Sequence, residues 1–304
     1  MKLLRRLSRK PIIGPVAHNL ITLLANREVK RVSRHFSQYL KPQLAISDEL
    51  KDESYRIRHN VYCDELHFEP QRQSGMETDE FEPQSVHCLI EHWPKHRFAG
   101  TVRVVRSHSS QELLPLEKFC SDTLEQATLK PSQFHRDEVC EISRLAVPAS
   151  YRRRTMDQYK GAETGVINED TYSETELRCF PFIAVGLYLA AASVMVNLGI
   201  RHCFVMMEPR LARSMNFVGI RFQQVGPVTE YHGKRAPYYI EPEQGLDELN
   251  TGFQLLYDRI DQDLAAQVKL LQSLQDDKKK YARPPEILNA RYPSVTSLYP
   301  LRHV

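Results

Sequence analysis

No two of the six cysteines form a Cys-x-x-Cys pair, and the thiols are spread over positions 63, 88, 120, 140, 179 and 203. That absence sets aside the common dithiol redox and zinc-ribbon motifs. Scattered thiols in a chain of this size are expected to be reduced and mostly buried, as in a reducing compartment. No apolar segment follows the basic start before Pro11, so a secretory leader is not expected and the chain is placed in the cytoplasm. Only one long run, 179–200, lacks charge, and Pro181, Gly186, Ser193, Asn197 and Gly199 interrupt it. It is read as a buried helix of an α/β core rather than a membrane span. There is no internal repeat. The net charge of +3 over 304 residues is too small to argue for a nucleic-acid partner.

A hydrophobic share of 41% and a charged share of 26% describe an ordinary globular protein, long enough for one large domain or two modest ones. The charge is uneven. Residues 1–45 carry ten Lys or Arg against the single acid Glu28, so a basic arm precedes an acidic body. With the apolar segment Leu20–Leu24, that arm suggests peripheral contact with an anionic membrane at its inner face, or with an acidic carrier protein. The expected organisation is a basic arm over 1–45, a main domain over 46–244, and a C-terminal helical extension and tail over 245–304.

Ser47, Asp48 and Glu49 predict the start of a helix running from Asp48 to about Glu65, with Arg58 and Tyr62 on one face. A polar loop over 68–84 follows. Alternation predicts strands at Val86–Glu91, Phe98–Val105 and Val139–Val147. In the second, Phe98, Gly100, Val102 and Val104 face one way and Thr101, Arg103 and Val105 the other. In the third, simple alternation sets Glu141 and Ser143 opposite Arg144, a register that a β-bulge would change. A helix over 177–198 capped by Gly199, a strand at 201–207, a short helix at 209–217 and a strand pair within 221–240 complete the domain. From Gly245 a long amphipathic helix is marked by Leu249, Phe253, Leu256, Ile260, Leu264, Val268 and Leu271. The order fits a mixed α/β fold, with a central, mostly antiparallel twisted sheet, helices on both faces and a C-terminal amphipathic helix.

Charged residues inside central strands are costly unless paired. Arg103, Glu141 and Arg144 all lie in predicted strands, and a buried network joining them to Glu77 and Asp79 would satisfy them. The alternative is a purely structural ion-pair network. The run from Tyr55 to Val147 resembles the acyl-homoserine-lactone synthases at Arg58, Tyr62, Phe68, Glu77, Asp79, Glu82, Arg103, Glu141, Ser143 and Arg144, with Phe68 where Trp is usual and Glu82 where Asp is usual. The likeness is closer to the PEP-CTERM/exosortase system-associated acyltransferases, which resemble long-chain N-acyl amino acid synthases. It is carried by Arg56–Arg58, Val61–Glu65, Ser85–His87, Glu141–Val147, Arg152–Arg154, Met207–Pro209 and Glu230–Arg235, over about residues 45–240.

This resemblance implies a GNAT-like fold and transfer of a fatty acyl group from a phosphopantetheine thioester, on acyl carrier protein or coenzyme A, to the amine of an amino acid. No tightly bound cofactor is implied. Glu141 is the first choice for the base that deprotonates the amine, grouped with Ser143 and Arg144 as the catalytic set. Arg58, Tyr62, Phe68, Glu77, Asp79, Glu82, His87 and Arg103 would serve the acceptor. Backbone N–H groups near Leu145–Val147 would hold the thioester oxygen. Arg144 and Arg152, Arg153 and Arg154 would meet the pantetheine phosphate or an acidic carrier, although no glycine follows Tyr151 until Gly161, unlike many GNAT phosphate loops. The rival readings are a lactone synthase using S-adenosylmethionine and a non-catalytic GNAT-like binding module. His87, Cys88, His92 and His96 match no zinc spacing, so no metal is expected. Cys140 is expected to be a core residue on the strand face opposite Glu141.

Overall fold

The computed structural model describes Ser33 and residues 36–152, 182–216 and 218–282. The chain separates into one compact unit ending at Val268 and a second beginning at Lys269; every strand lies in the first. Eight strands form a sheet: β1 (Leu40–Leu44), β2 (Ser85–His92), β3 (Arg97–Arg106), β4 (Val139–Ala146), β5 (His202–Met207), β6 (Gln223–Gln224), β7 (Thr229–Glu230) and β8 (Lys234–Ile240). Their order is β1-β2-β3-β4-β5-β8-β6, with β7 paired to β8. All pairings are antiparallel except β4 with β5, so the expected mixed and mostly antiparallel sheet is present.

The alternation of β3 explains how its two faces are covered. Helix α1 (Asp48–Arg58) packs on the face of Thr101, where Ser54 Oγ lies 2.7 Å from Thr101 Oγ1. Two short helices, α2 (Pro115–Phe119) and α3 (Ser121–Glu125), fill the connection to β4. On the other face Gly100 admits helix α4 (Ile183–Asn197), since a Cβ there would stand 3.0 Å from Leu187 Cδ1. Phe98 departs from the expected face. The ladder shifts between Ile90 and Glu91, and the extra residue turns Phe98 into the cluster of Ile57, Val61, Leu89 and Ala146 under α1.

Ser47 caps α1 through its side chain, which accepts from Leu50 N–H, and the helix then widens into a π-type turn over His59–Glu65. Helix α4 ends at Asn197 and Gly199 takes the left-handed cap, as expected; its predicted beginning, 177–181, lies outside the described residues. Helix α4 is almost wholly buried, and among the described residues no helix is long and apolar enough to cross a membrane. Two short helices, α5 (Pro209–Met215) and α6 (Pro242–Asp247), flank the β8 region, and the long helix α7 spans Thr251–Ala282. Its stripe Phe253, Leu256, Ile260, Leu264 and Val268 is buried, and Asp261 accepts from Ser193 and Asn197 of α4.

Residues 40–44, which composition assigns to the basic arm, are instead edge strand β1. Leu40, Pro42 and Leu44 alternate inward, and the edge N–H of Leu44 donates to Gln267 Oε1 at 2.9 Å. The edge position also explains how the strand accommodates Pro42.

Candidate active site

Strands β4 and β5 are joined only at their beginnings, Val139–Glu141 opposite His202–Phe204. Beyond that point they part, and a cavity of about 480 Å³ occupies the wedge, lined on one side by Glu141–Leu145 and on the other by Val205–Glu208. Tyr62 of the π-type turn, the loop residues Leu66, Phe68 and Glu69, and the hairpin residues Tyr231, His232 and Arg235 also line it. A smaller and almost wholly apolar pocket, lined by α4, Ile220, Phe222 and α6, shares Ile142 and Tyr188 with it.

Glu141 sits in this wall only 3% exposed. The backbone N–H of Leu116, at the start of α2, donates to its Oε2 at 2.7 Å. Burial is the dominant influence on the carboxyl and pushes its pKa up to about 8, against the Leu116 bond and the charges of Arg103 and Arg144, which pull it down. A carboxyl poised there can take and return a proton near neutral pH. Cys140, one residue earlier, points into the opposite core with its Sγ 3.3 Å from Met195 Sδ, as expected.

Simple alternation fails at Arg144. Its backbone is left-handed, with φ of 51°, and the β3 ladder shifts between Thr101 and Arg103. This bulge returns Arg144 to the face of Glu141 and Ser143. There it pairs with Glu77 and Glu69 at 3.2 Å and with Asp79 at 3.4 Å. Glu77 also holds the fully buried Arg58 at 2.5 Å, and Arg58 reaches Glu82 at 2.9 Å. Arg103 meets Asp79 at 2.6 Å, Glu82 at 3.0 Å and Ser143 Oγ at 3.0 Å. His87 Nε2 lies 2.9 Å from Glu82. Burial alone would raise both Glu77 and Glu82, but the guanidinium groups, helped at Glu82 by His87, override it and hold both below the ordinary glutamate range. Burial outweighs Glu82 at His87 and keeps that imidazole neutral at pH 7.

The residues expected from sequence therefore divide in two. Tyr62, Phe68, Glu141, Ser143, Arg144, Leu145 and Arg152 line the cavity. Arg58, Glu77, Asp79, Glu82, His87 and Arg103 do not; they form the ion-pair network behind it, where they fix Arg144 and Ser143. None of these six lines the cavity, and Arg58, Glu77 and Arg103 have no exposed surface. Val147 stands off the wedge beside Gly100. The carbonyl of Leu145 accepts from Tyr62 Oη at 2.6 Å, while the β4 edge beyond Glu141 has no β5 partner. Arg152 is joined to Glu65. Arg153 and Arg154 lie outside the described residues. The histidines of the 87–96 segment are separately occupied, His87 by Glu82, His92 against the Tyr151 ring and His96 by Glu91.

Leu116, Glu69, Tyr188 and Arg235 were not anticipated. Only Arg235 left a sequence signal, the aromatic and basic run Glu230–Arg235 around a His-Gly turn, in which His232 and Gly233 have φ of 50° and 92°.

Residues 57–161 match the family model described as an acetyltransferase (GNAT) domain. No curated protein matches the sequence. Among solved structures, the CoA-dependent acyl-homoserine lactone synthase BjaI with MTA is similar at 15% identity, over 76% of this chain and 99% of that one, with a TM-score of 0.50. The AHL synthase LasI gives 14%, 72%, 94% and 0.47, and FeeM, an N-acyl amino acid synthase from uncultured soil microbes, gives 12%, 69%, 94% and 0.44. The stretch that matches the acetyltransferase (GNAT) domain model, residues 57–161, runs from the end of α1 through β2, β3 and β4, and so carries the buried carboxyl in the wall of the parted β4–β5 wedge.

Proposed function

We propose that the protein transfers a long-chain acyl group from a phosphopantetheine thioester, on acyl carrier protein or coenzyme A, to the amine of an amino acid. The observation that carries this reading is Glu141, a buried carboxyl raised to about 8 in the wall of a cavity open between two strands. In its ionised form it accepts the proton of the acceptor ammonium. The freed amine attacks the thioester carbonyl, a new C–N bond forms, and the C–S bond breaks as the tetrahedral intermediate collapses. The proton held by Glu141 then passes to the leaving thiolate, whose own pKa of about 8.5 is closely matched, and the second proton that the nitrogen sheds on becoming an amide leaves to solvent. The unpaired β4 edge beyond Glu141 supplies backbone N–H groups for the developing oxyanion. The apolar pocket reached past Ile142 and Tyr188 accommodates part of the acyl tail. In this reading the buried arginine–carboxylate network keeps the β4 wall rigid and needs no direct contact with substrate. The enzyme would work in the cytoplasm, its basic arm meeting an anionic membrane or the acidic carrier, in an exosortase-associated setting.

The test is incubation of the full chain with acyl carrier thioester or acyl-CoA and, separately, free amino acids or S-adenosylmethionine, with products identified by mass. N-acyl amino acids are expected. A homoserine lactone, or no acylated product from any amine, would overturn the proposal.

A further inference from the structure

Among the described residues three guanidinium groups reach the wedge, and two are occupied. Arg144 is held by Glu69, Glu77 and Asp79, and Arg152 by Glu65. Arg235 is different. It lies half-buried at the start of β8, where its neighbour Ala236 pairs with Met207 of β5, so it approaches the cavity from the side opposite β4. Among the described residues no carboxylate lies within ion-pair distance of it, and its Nε is shut off from solvent without a hydrogen-bond partner. A buried N–H donor without an acceptor is unfavourable and is rarely left so, and a guanidinium fork matches a planar carboxylate in two parallel bonds.

Its position selects which anion it meets. Glu141, Tyr231 and Arg235 line the same cavity, the carboxyl from β4 and the guanidinium from β8. In an α-amino acid the carboxylate is separated from the amine nitrogen by a single carbon. An amine delivered to Glu141 therefore brings its carboxylate into the cavity that Arg235 lines. A donor phosphate lies at the far end of the pantetheine arm from the reacting sulfur and would sit well away from it.

We propose that Arg235 is the specificity-determining residue that binds the α-carboxylate of the acceptor. The assignment rests on the acyl-transfer reading for its choice of substrate, but its test does not need turnover. Binding of the common amino acids and of their carboxamides to the full chain is measured by calorimetry, for the unmodified protein and for Arg235→Gln and Arg235→Lys, each first shown to keep its melting transition. The unmodified chain should bind at least one amino acid about 50-fold more tightly than its carboxamide, the scale of a hydrogen-bonded charge. Arg235→Gln should remove that preference while leaving carboxamide binding within about two-fold, and Arg235→Lys should keep part of it. In the transfer assay the loss should appear in the KM of the acceptor and persist with an acyl-pantetheine donor that lacks phosphate. The assignment is overturned if the unmodified chain does not prefer the acids. It is equally overturned if Arg235→Gln weakens acid and carboxamide alike, or if its defect disappears with the phosphate-free donor. Carboxylate-selective binding without acyl transfer would keep Arg235 in this role and sink the acyl-transfer reading alone.

Discussion

Glu141 keeps its proton well past the pH at which a solvated glutamate loses it, because its site supplies one backbone donor and little water. Between the ordinary value of 4.5 and about 8 the folded chain thus holds a proton that the unfolded chain has released. Stability from this residue consequently falls as pH rises through that window. Glu141→Gln should therefore fold, and its melting temperature at pH 8 should equal or exceed that of the unmodified chain, while turnover drops by at least about 100-fold. In the unmodified enzyme kcat/KM should climb with pH through an apparent pKa near 8. Stopped assays across pH 6 to 9 check this, and a flat profile would remove Glu141 from the role of base. Its raised pKa was not legible in sequence: its strand and its candidacy were, but the donor is Leu116, which lies 25 residues earlier in the connection between β3 and β4.

At the scale of elements, β4 owes its usefulness to irregularity. A non-glycine residue in the left-handed region carries a penalty of about 1–2 kcal/mol, offset here by the carboxylates that surround the Arg144 guanidinium. Arg144→Lys keeps the charge but not the fork, and should lower kcat/KM by about 10-fold or more while the fold is retained; steady-state kinetics beside a thermal melt would show it. Gly100 closes the same region from β3, since a Cβ there would lie 2.9 Å from the Ala146 carbonyl oxygen. Gly100→Ala should destabilise by about 1–3 kcal/mol in urea unfolding. Alternation revealed β2 to β4, the three- and four-residue spacing revealed α1 and α7, and a long uncharged run revealed α4, because these patterns are local. The faces of Phe98 and Arg144 were hidden because each depends on one inserted residue. Strand β1 was hidden because its five residues follow a run dominated by arginine and lysine.

For the molecule as a whole, the network behind the wedge sets the response to acid. Glu77 and Glu82 titrate below their ordinary value of 4.5 in the folded state. Their stabilisation is complete above that value and is lost as pH falls below it. His87, buried neutral, adds to the same trend below its ordinary 6.5. The melting temperature should decline steeply from pH 5 to pH 3, and a flat response would refute the ion-pair account. Glu77→Gln, which strands Arg58 without its full charge partner, should cost about 3–5 kcal/mol at pH 7 by chemical denaturation. The sequence exposed Arg103, Glu141 and Arg144 as charges that are costly within strands and pointed to a buried network with Glu77 and Asp79. It did not show that Arg58, Glu82 and His87 belong to that network, because their distances depend on how a loop folds back over a helix and three strands.

The two halves of the sheet are joined by a three-residue seam, Val139–Glu141 against His202–Phe204, whose last pair is Glu141 with Phe204. A bulkier or slimmer side chain at Phe204 is therefore expected to shift the point at which the strands part, and with it the size of guest admitted.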